Sequence, residues 1–169
     1  MKNILHSIRL CLCLCAGVLT LAGCRTPPPQ RLDPAIEREA AAGRSAYAAG
    51  SFDRAAASFE RALQRARLVD DSAEIARNAY NLAACLSALQ RWDDAALRLD
   101  EAAAAAGPPA PAEFAMLRVK ILRGAGRTND AIALARGWLD DTRAAERRPA
   151  MQVLLADMLC DAGDQAGAA

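Results

Sequence analysis

The strongest constraint on this chain is an internal repeat in the part that follows residue 33. A short turn-like motif ends in an alanine four times, and the aligned alanines are Ala55, Ala95, Ala131 and Ala168. The intervals between them are 40, 36 and 37 residues. Recurrence at intervals of about 20–50 residues is typical of stacked supersecondary units, each packed on its neighbours. The repeat therefore predicts a row of similar units along the chain.

Composition and periodicity indicate that these units are helical. Alanine supplies much of the 53% hydrophobic content and aromatic residues make up 4%, which favours helix over sheet. Asp33 and Pro34 have the residue types preferred at the N-cap and the first position of a helix. Asp71 and Glu74 resemble a capping box. The predicted helices span about residues 34–49, 52–68, 72–90, 93–106, 111–125, 129–144 and 149–162.

The residues inside each unit resemble those of tetratricopeptide repeats. That family places small residues mid-way along a first helix, then glycine, alanine and large residues through the turn and second helix. The first two copies supply Gly43, Gly50, Phe52, Ala55, Phe59 and Ala62, then Leu82, Ala83, Trp92, Ala95, Leu99 and Ala102, followed by Pro108. In the third copy Gly126 and Ala131 fit, but Thr128 replaces the aromatic residue.

The resemblance covers about residues 35–169 and implies an all-α fold. It implies a right-handed α-solenoid of about three and a half helix pairs, and the alternative is a plain alanine-rich helical bundle. A fourth copy opens at Ala162, and its second helix would start near Asp164, one turn before the sequence stops. We expect the first helix of this copy to lack part of its cover. A continuing chain or a partner is favoured over a simple capping helix.

The first 23 residues have the character of a secretory signal. Lys2 and Arg9 are their charged residues, and an apolar run from Leu10 to about Ala22 follows, too short to span a bilayer core. The segment 21–24, Leu-Ala-Gly-Cys, resembles the lipobox of bacterial lipoproteins. The resemblance implies that the Cys24 thiol receives diacylglycerol, that the bond before Cys24 is cleaved and that the new amino terminus is acylated. The alternative is an ordinary signal peptide.

These assignments divide the chain into three parts. Residues 1–23 are predicted to be the cleaved signal, residues 24–33 the lipidated cysteine and a proline-rich tether, and residues 34–169 the repeat domain. Three successive prolines in the tether favour an extended, semi-rigid segment. In the lipoprotein family an aspartate after the cysteine retains the protein in the inner membrane of enteric bacteria. Arg25 at that position therefore predicts the outer membrane, facing the periplasm.

Cleavage would remove much of the candidate chemistry. His6, the single histidine, and the cysteines at 11, 13 and 15 leave with the signal. Cys85 and Cys160 remain, on predicted first helices two repeats apart, so they are predicted to be buried free thiols rather than a disulfide. Without a histidine, a nucleophile elbow, a phosphate loop or metal-ligand spacing, neither an enzyme nor a metal or cofactor site is predicted. The lipid on Cys24 is the expected non-protein group.

The ligand groove of tetratricopeptide repeats is lined by outward positions of the first helices. Carried over by residue, the groove positions are Arg44, Tyr47, Arg77, Tyr80, Met116, Lys120 and Arg123. Asn81 matches one position of the family's carboxylate clamp, whereas Ala40, Arg44, Glu113 and Leu117 depart from it, so that clamp is not predicted. The surface is mildly basic and would suit an acidic extended or helical peptide. The alternative is that these side chains are simply solvated.

The predicted function is binding at a membrane. We expect a membrane-anchored periplasmic lipoprotein that acts as a scaffold for an envelope assembly, such as one for pilus formation, secretion or outer-membrane protein biogenesis. The alternative is a regulator that docks and activates a cell-wall synthase or hydrolase. Partners are expected to be envelope proteins or their peptide segments. Nucleic acid is not expected, because 21 basic residues are balanced by 20 acidic ones. The sequence gives no oligomeric state.

Overall fold

A computed structural model describes residues 33–140 and 148–167, with side chains up to Gly163. The predictions for residues 1–32, including Cys24, and for Ala168 lie outside these residues. Within the described ranges there are helices and no strands, so the prediction of an all-α fold is confirmed. The helices are α1 (Pro34–Ala48), α2 (Phe52–Leu68), α3 (Ser72–Ala88), α4 (Trp92–Ala106), α5 (Ala112–Gly124), α6 (Thr128–Asp140) and α7 (Arg148–Gly167).

The helices pack in the order in which they follow one another along the chain. Each contacts its successor, and the contacts are most extensive from α1 to α4. Contacts also join alternate helices, α1 to α3 and α3 to α5. A chain whose contacts stay between near neighbours in sequence has the organisation of a repeat-like helical fold. The first, third and fifth helices therefore lie next to one another in one row.

One turn geometry closes four of the connections between helices. The residue after the helix C-cap has a positive φ at Gly50, Asp70, Gln90 and Gly126, between 52° and 75°. At each of these sites the backbone amides of the positive-φ residue and of the residue after it donate to carbonyl oxygens of the last helical turn. Gly50 N donates to Tyr47 O, and Ser51 N donates to Ala46 O at 2.9 Å. This pair of hydrogen bonds is the Schellman motif, which satisfies carbonyl groups that would otherwise lack a partner at the helix end.

Small residues bring paired helices into close contact. The repeat alanines Ala55, Ala95 and Ala131 are completely buried, as their alignment predicts. Gly43 lies against the ring of Phe59, so close that a Cβ there would sit 2.8 Å from a ring carbon. Gly124 stands in the same relation to the indole of Trp92, at 2.5 Å. The helices can approach this closely because the small residue leaves room for the ring.

The buried side chains form clusters that follow the helix order. The largest joins α2 to α5 and includes Phe59, Leu63, Leu82 and Leu99. A second joins α5, α6 and α7 and is centred on Val119, Ala131, Ile132, Ala135, Met151 and Met158. A third, smaller cluster of Ile36, Ala40, Ala62 and Ala66 joins α1 to α2. The apolar core therefore extends along the row of helices instead of filling one centre.

Ion pairs on the surface connect helices that are not consecutive as well as helices that are. Arg67 on α2 donates to both carboxylate oxygens of Glu101 on α4, each at 2.8 Å. Arg61 on α2 donates to Glu39 on α1 at 2.9 Å. A bidentate arginine pair fixes geometry as well as charge, although exposed pairs contribute little free energy. The Arg67 pair therefore links α2 to α4 on the surface.

The end of the sequence differs from the prediction. The helix predicted to stop at about residue 162 continues through Gly163 to Gly167, and no turn opens a second helix near Asp164. Continuing α7 keeps the backbone hydrogen bonds of this segment inside one helix. Val153 and Leu159 on α7 are exposed, as expected for a helix that lacks part of its cover.

Replacing Gly43 by alanine tests the close contact with Phe59. We expect Gly43→Ala to lower the free energy of unfolding by about 1–3 kcal/mol, because the buried ring has to shift. Gly137→Ala is the matched control: this helical glycine in α6 has no heavy atom within 4 Å of an added Cβ. It should raise stability by up to about 1 kcal/mol through helix propensity. Urea denaturation followed by circular dichroism measures both, and a Gly43→Ala protein as stable as the parent would contradict the packing described.

Candidate functional site: a groove with two tyrosines

The row of α1, α3 and α5 carries a groove made of two adjoining cavities. The first has a volume of about 330 Å³ and is lined by Arg44, Tyr47, Ala48, Phe59, Tyr80, Asn81 and Ala84. The second has a volume of about 350 Å³ and is lined by Tyr47, Tyr80, Ala84, Ser87, Ala88, Glu113, Met116, Leu117 and Lys120. Tyr47, Tyr80 and Ala84 belong to both, so the cavities lie side by side. We call this surface the tyrosine groove.

Both tyrosines are held by a second aromatic ring. Tyr47 at the end of α1 contacts Phe52 edge-on, with ring centroids 5.2 Å apart. Tyr80 on α3 stacks on Phe114 of α5, with centroids 5.1 Å apart and 11° between the ring planes. Aromatic pairs at these distances add to the stability that burial alone provides. The two rings therefore reach the groove in orientations fixed by the fold.

The predicted groove residues are brought together in large part. Arg44, Tyr47, Tyr80, Asn81, Met116 and Lys120 all line the tyrosine groove. They come from three different helices, because alternate helices of the row lie side by side. The signal in the sequence was the resemblance to tetratricopeptide repeats, whose groove positions these residues match.

Two predicted groove residues do not line these cavities, because each is paired with acids. Arg77 lies 3.0 Å from a carboxylate oxygen of Glu74, which is buried. A buried carboxylate is costly without a positive partner, so this arginine compensates a charge in its own helix. The Glu74 carboxylate also accepts from the side-chain amide of Asn78 at 3.1 Å. Arg77 is thus paired within its own helix and lies outside the two cavities.

Arg123 is paired across two helices. Its guanidinium donates to Asp157 and to Asp161 on α7, both at 2.6 Å. Hydrogen bonds to Asp157 and then to Asp161 raise the pKa of Arg123 above its ordinary value. Both aspartates lie one turn apart on the same face of α7, as side chains at i and i+4 do. Arg123 therefore fastens α7 to α5, which explains why it does not line the groove.

The two remaining cations of the groove differ in their pairing. Arg44 donates to Glu37 on its own helix at 2.5 Å, and both side chains are about half exposed. Such exposed pairs contribute little free energy, so a ligand carboxylate can compete for the guanidinium. Lys120 is exposed and has no ion-pair partner among residues 33–140 and 148–163. Lys120 is thus the cation of the groove that a ligand can reach without displacing an acid.

Sequence reasoning missed part of the lining. Ala48, Ala84, Ser87 and Ala88 are small residues whose contribution is the space they leave, and small residues recur throughout this chain. Phe114 was missed as the ring that fixes Tyr80. Its position near the start of a predicted first helix was visible in the sequence, but its partner on another helix was not.

The described residues contain no group of histidine, cysteine, aspartate and glutamate side chains that could hold a metal ion. Nor does any helix in that part of the chain combine the length and apolar character that a membrane crossing requires. The sequence matches no family model, and no curated protein matches it. The interpretation of the tyrosine groove therefore depends on the residues and geometry of this chain.

The two thiols of the described region are free but differ in exposure. Cys85 is completely buried in the largest cluster, as predicted. Cys160 is exposed on α7, so the prediction that it is buried is wrong. The thiol lies on a helix that also exposes Val153 and Leu159, in line with the expectation that this helix lacks part of its cover. Burial raises the pKa of the Cys85 thiol to about 12, because the thiolate loses its hydration.

Thiol labelling tests this difference. With a maleimide at pH 7–9, we expect Cys160 to react, and to react faster as the pH rises, because the thiolate is the nucleophile. Cys85 should stay unlabelled over this range, since its raised pKa keeps it protonated and burial blocks access. Peptide mass spectrometry reads each site separately, and labelling in denaturant is the control in which both react. Equal rates at the two sites in the native protein would contradict the burial of Cys85.

Proposed function

We propose that this protein is a lipid-anchored periplasmic binding protein whose tyrosine groove holds a segment of an envelope protein. The observation that carries the proposal is the convergence of six sequence-predicted residues from α1, α3 and α5 on two adjoining cavities. A groove with fixed aromatic rings and a few polar groups is the kind of surface that binds a peptide segment.

The repeat organisation supports a scaffold. We propose that the helix pairs form a right-handed solenoid of the tetratricopeptide type, with α1, α3, α5 and α7 as its first helices. The repeated turns and the buried repeat alanines support this assignment. Solenoids of stacked units offer an extended surface that suits assembly of other proteins. We therefore propose a scaffold for an envelope assembly, probed below by its partners.

The anchor in this proposal is Cys24. The lipobox-like segment 21–24 and the proline-rich tether support it. Each methylene buried in a bilayer contributes about 0.8 kcal/mol, so two or three acyl chains suffice to hold a folded domain at a membrane. With Arg25 after the cysteine, we propose the outer membrane, facing the periplasm, as the location.

Replacing Cys24 by serine tests the anchor. The parent protein should fractionate with membranes and lack residues 1–23, whereas Cys24→Ser should lose the lipid and remain unprocessed or leave the membrane. Mass spectrometry of the amino-terminal peptide and membrane fractionation measure both effects. Cys160→Ser, which removes an exposed thiol elsewhere, is the control and should behave as the parent. Normal cleavage and membrane retention of Cys24→Ser would contradict lipidation.

A pull-down from detergent-solubilised membranes tests the groove. We expect Tyr47→Ala to reduce recovery of the main partner by about five- to thirty-fold, the effect of losing one aromatic hot spot. Leu97→Ala is the matched control, because Leu97 on α4 is more exposed, at 58% against 43% for Tyr47, and lies outside the groove. Unchanged recovery with Tyr47→Ala would contradict the proposal. Assembly components among the partners favour the scaffold, and a cell-wall synthase or hydrolase favours the regulator.

A further inference from the structure

We propose that the tyrosine groove selects a short peptide segment with one aromatic side chain and one carboxylate a few residues away. The ring enters the first cavity, and the carboxylate pairs with Lys120 in the second. This inference rests on the proposed function and specifies the partner chemistry of the same groove.

The first cavity has the lining of a site for a ring. Three aromatic side chains, Tyr47, Phe59 and Tyr80, border it, and the alanines Ala48 and Ala84 leave the space between them. Its volume of about 330 Å³ is at the small end of the range of ligand pockets, which suits a side chain rather than a folded surface. An aromatic ligand side chain can meet these rings edge-on or stacked, the two arrangements that aromatic pairs prefer.

The rings that line this cavity are already ordered. Tyr47 is held edge-on by Phe52, Tyr80 is stacked on Phe114, and Phe59 is 2% exposed against Gly43. A ligand that binds here does not have to immobilise them, so little side-chain entropy is lost on binding. The cavity can therefore bind an aromatic side chain of a ligand through a small number of contacts.

The charge of the second cavity selects the acid. Arg77 is paired with Glu74, and Arg44 is paired with Glu37. Arg123 is paired with two aspartates of α7. Lys120 alone among the predicted groove cations forms no ion pair with a residue in the described part of the chain. A ligand carboxylate at Lys120 gains an ion pair without breaking one.

Glu113 sets the direction of the segment. It lines the second cavity together with Lys120, seven residues earlier on α5. Side chains seven residues apart lie about two turns, or roughly 10 Å, along one face of a helix. A carboxylate near Glu113 would be repelled, so the acid of the ligand has to lie at the Lys120 end. The shared lining by Tyr47, Tyr80 and Ala84 lets one short segment occupy both cavities.

Selection from a displayed library of random 12-residue peptides tests this chemistry on the full chain, purified in detergent. We expect enriched peptides to share one aromatic residue and one Asp or Glu at a fixed spacing. Each is then synthesised with its acid and with the matching amide, and its affinity is measured by fluorescence anisotropy. The acid-to-amide change should weaken binding to the parent protein by about two- to fivefold, the effect of one exposed ion pair.

Two variants assign the effect to Lys120. With Lys120→Met, acid and amide peptides should bind equally. Arg136→Met is the control, because Arg136 is an exposed arginine on α6 with no ion pair in the described residues, and it should preserve the difference. Three results would overturn the inference: no enrichment, enrichment without an acid, or an acid preference that survives Lys120→Met.

The proposed function and this inference can fail separately. If Tyr47→Ala abolishes recovery of the natural partner but the peptides show no acid preference, the groove binds and the inference on ligand chemistry is wrong. If Tyr47→Ala leaves recovery unchanged, the proposed function itself is wrong. A partner that loses affinity with both Tyr47→Ala and Lys120→Met, but not with Arg136→Met, supports both.

Discussion

The close approach of helices at small residues is the constraint on which the rest of this structure depends. Gly43 admits the ring of Phe59, Gly124 admits the indole of Trp92, and the repeat alanines are completely buried. Because the small residue yields the space and the ring fills it, each contact is specific for its pair of positions. A chain with few aromatic residues can build an apolar core in this way along a whole row of helices.

The groove is a consequence of the same arrangement. Each helix packs on its successor, and α3 also contacts α1 and α5, so these three helices share one surface. Tyr47, near the end of α1, and Tyr80, in the middle of α3, both line that surface, although neither was an isolated motif in the sequence. The predicted groove cations differ in their ion pairs. Arg123 pairs with two aspartates of α7 and Arg77 pairs with Glu74, whereas Lys120 remains accessible to a ligand.

Much of the fold could be predicted because its signals are local. Helix starts followed from capping residues, and buried alanines followed from their alignment; Asp71 does accept from the backbone amide of Glu74. The turn residues Asp70 and Gln90 escaped notice, since neither is the glycine that a positive φ favours. The exposure of Cys160 and the pairing of Arg77 and Arg123 depend on neighbours in space. A pattern within one helix does not contain that information.

We propose that the groove between α1, α3 and α5 is the binding surface of this protein. Photo-cross-linking in living cells, with a photoreactive amino acid placed at Tyr47 or, separately, at Leu97 on α4, measures this directly. We expect a discrete cross-linked partner from position 47 and none from position 97. Adducts of equal yield from both positions, or none from position 47, would contradict it.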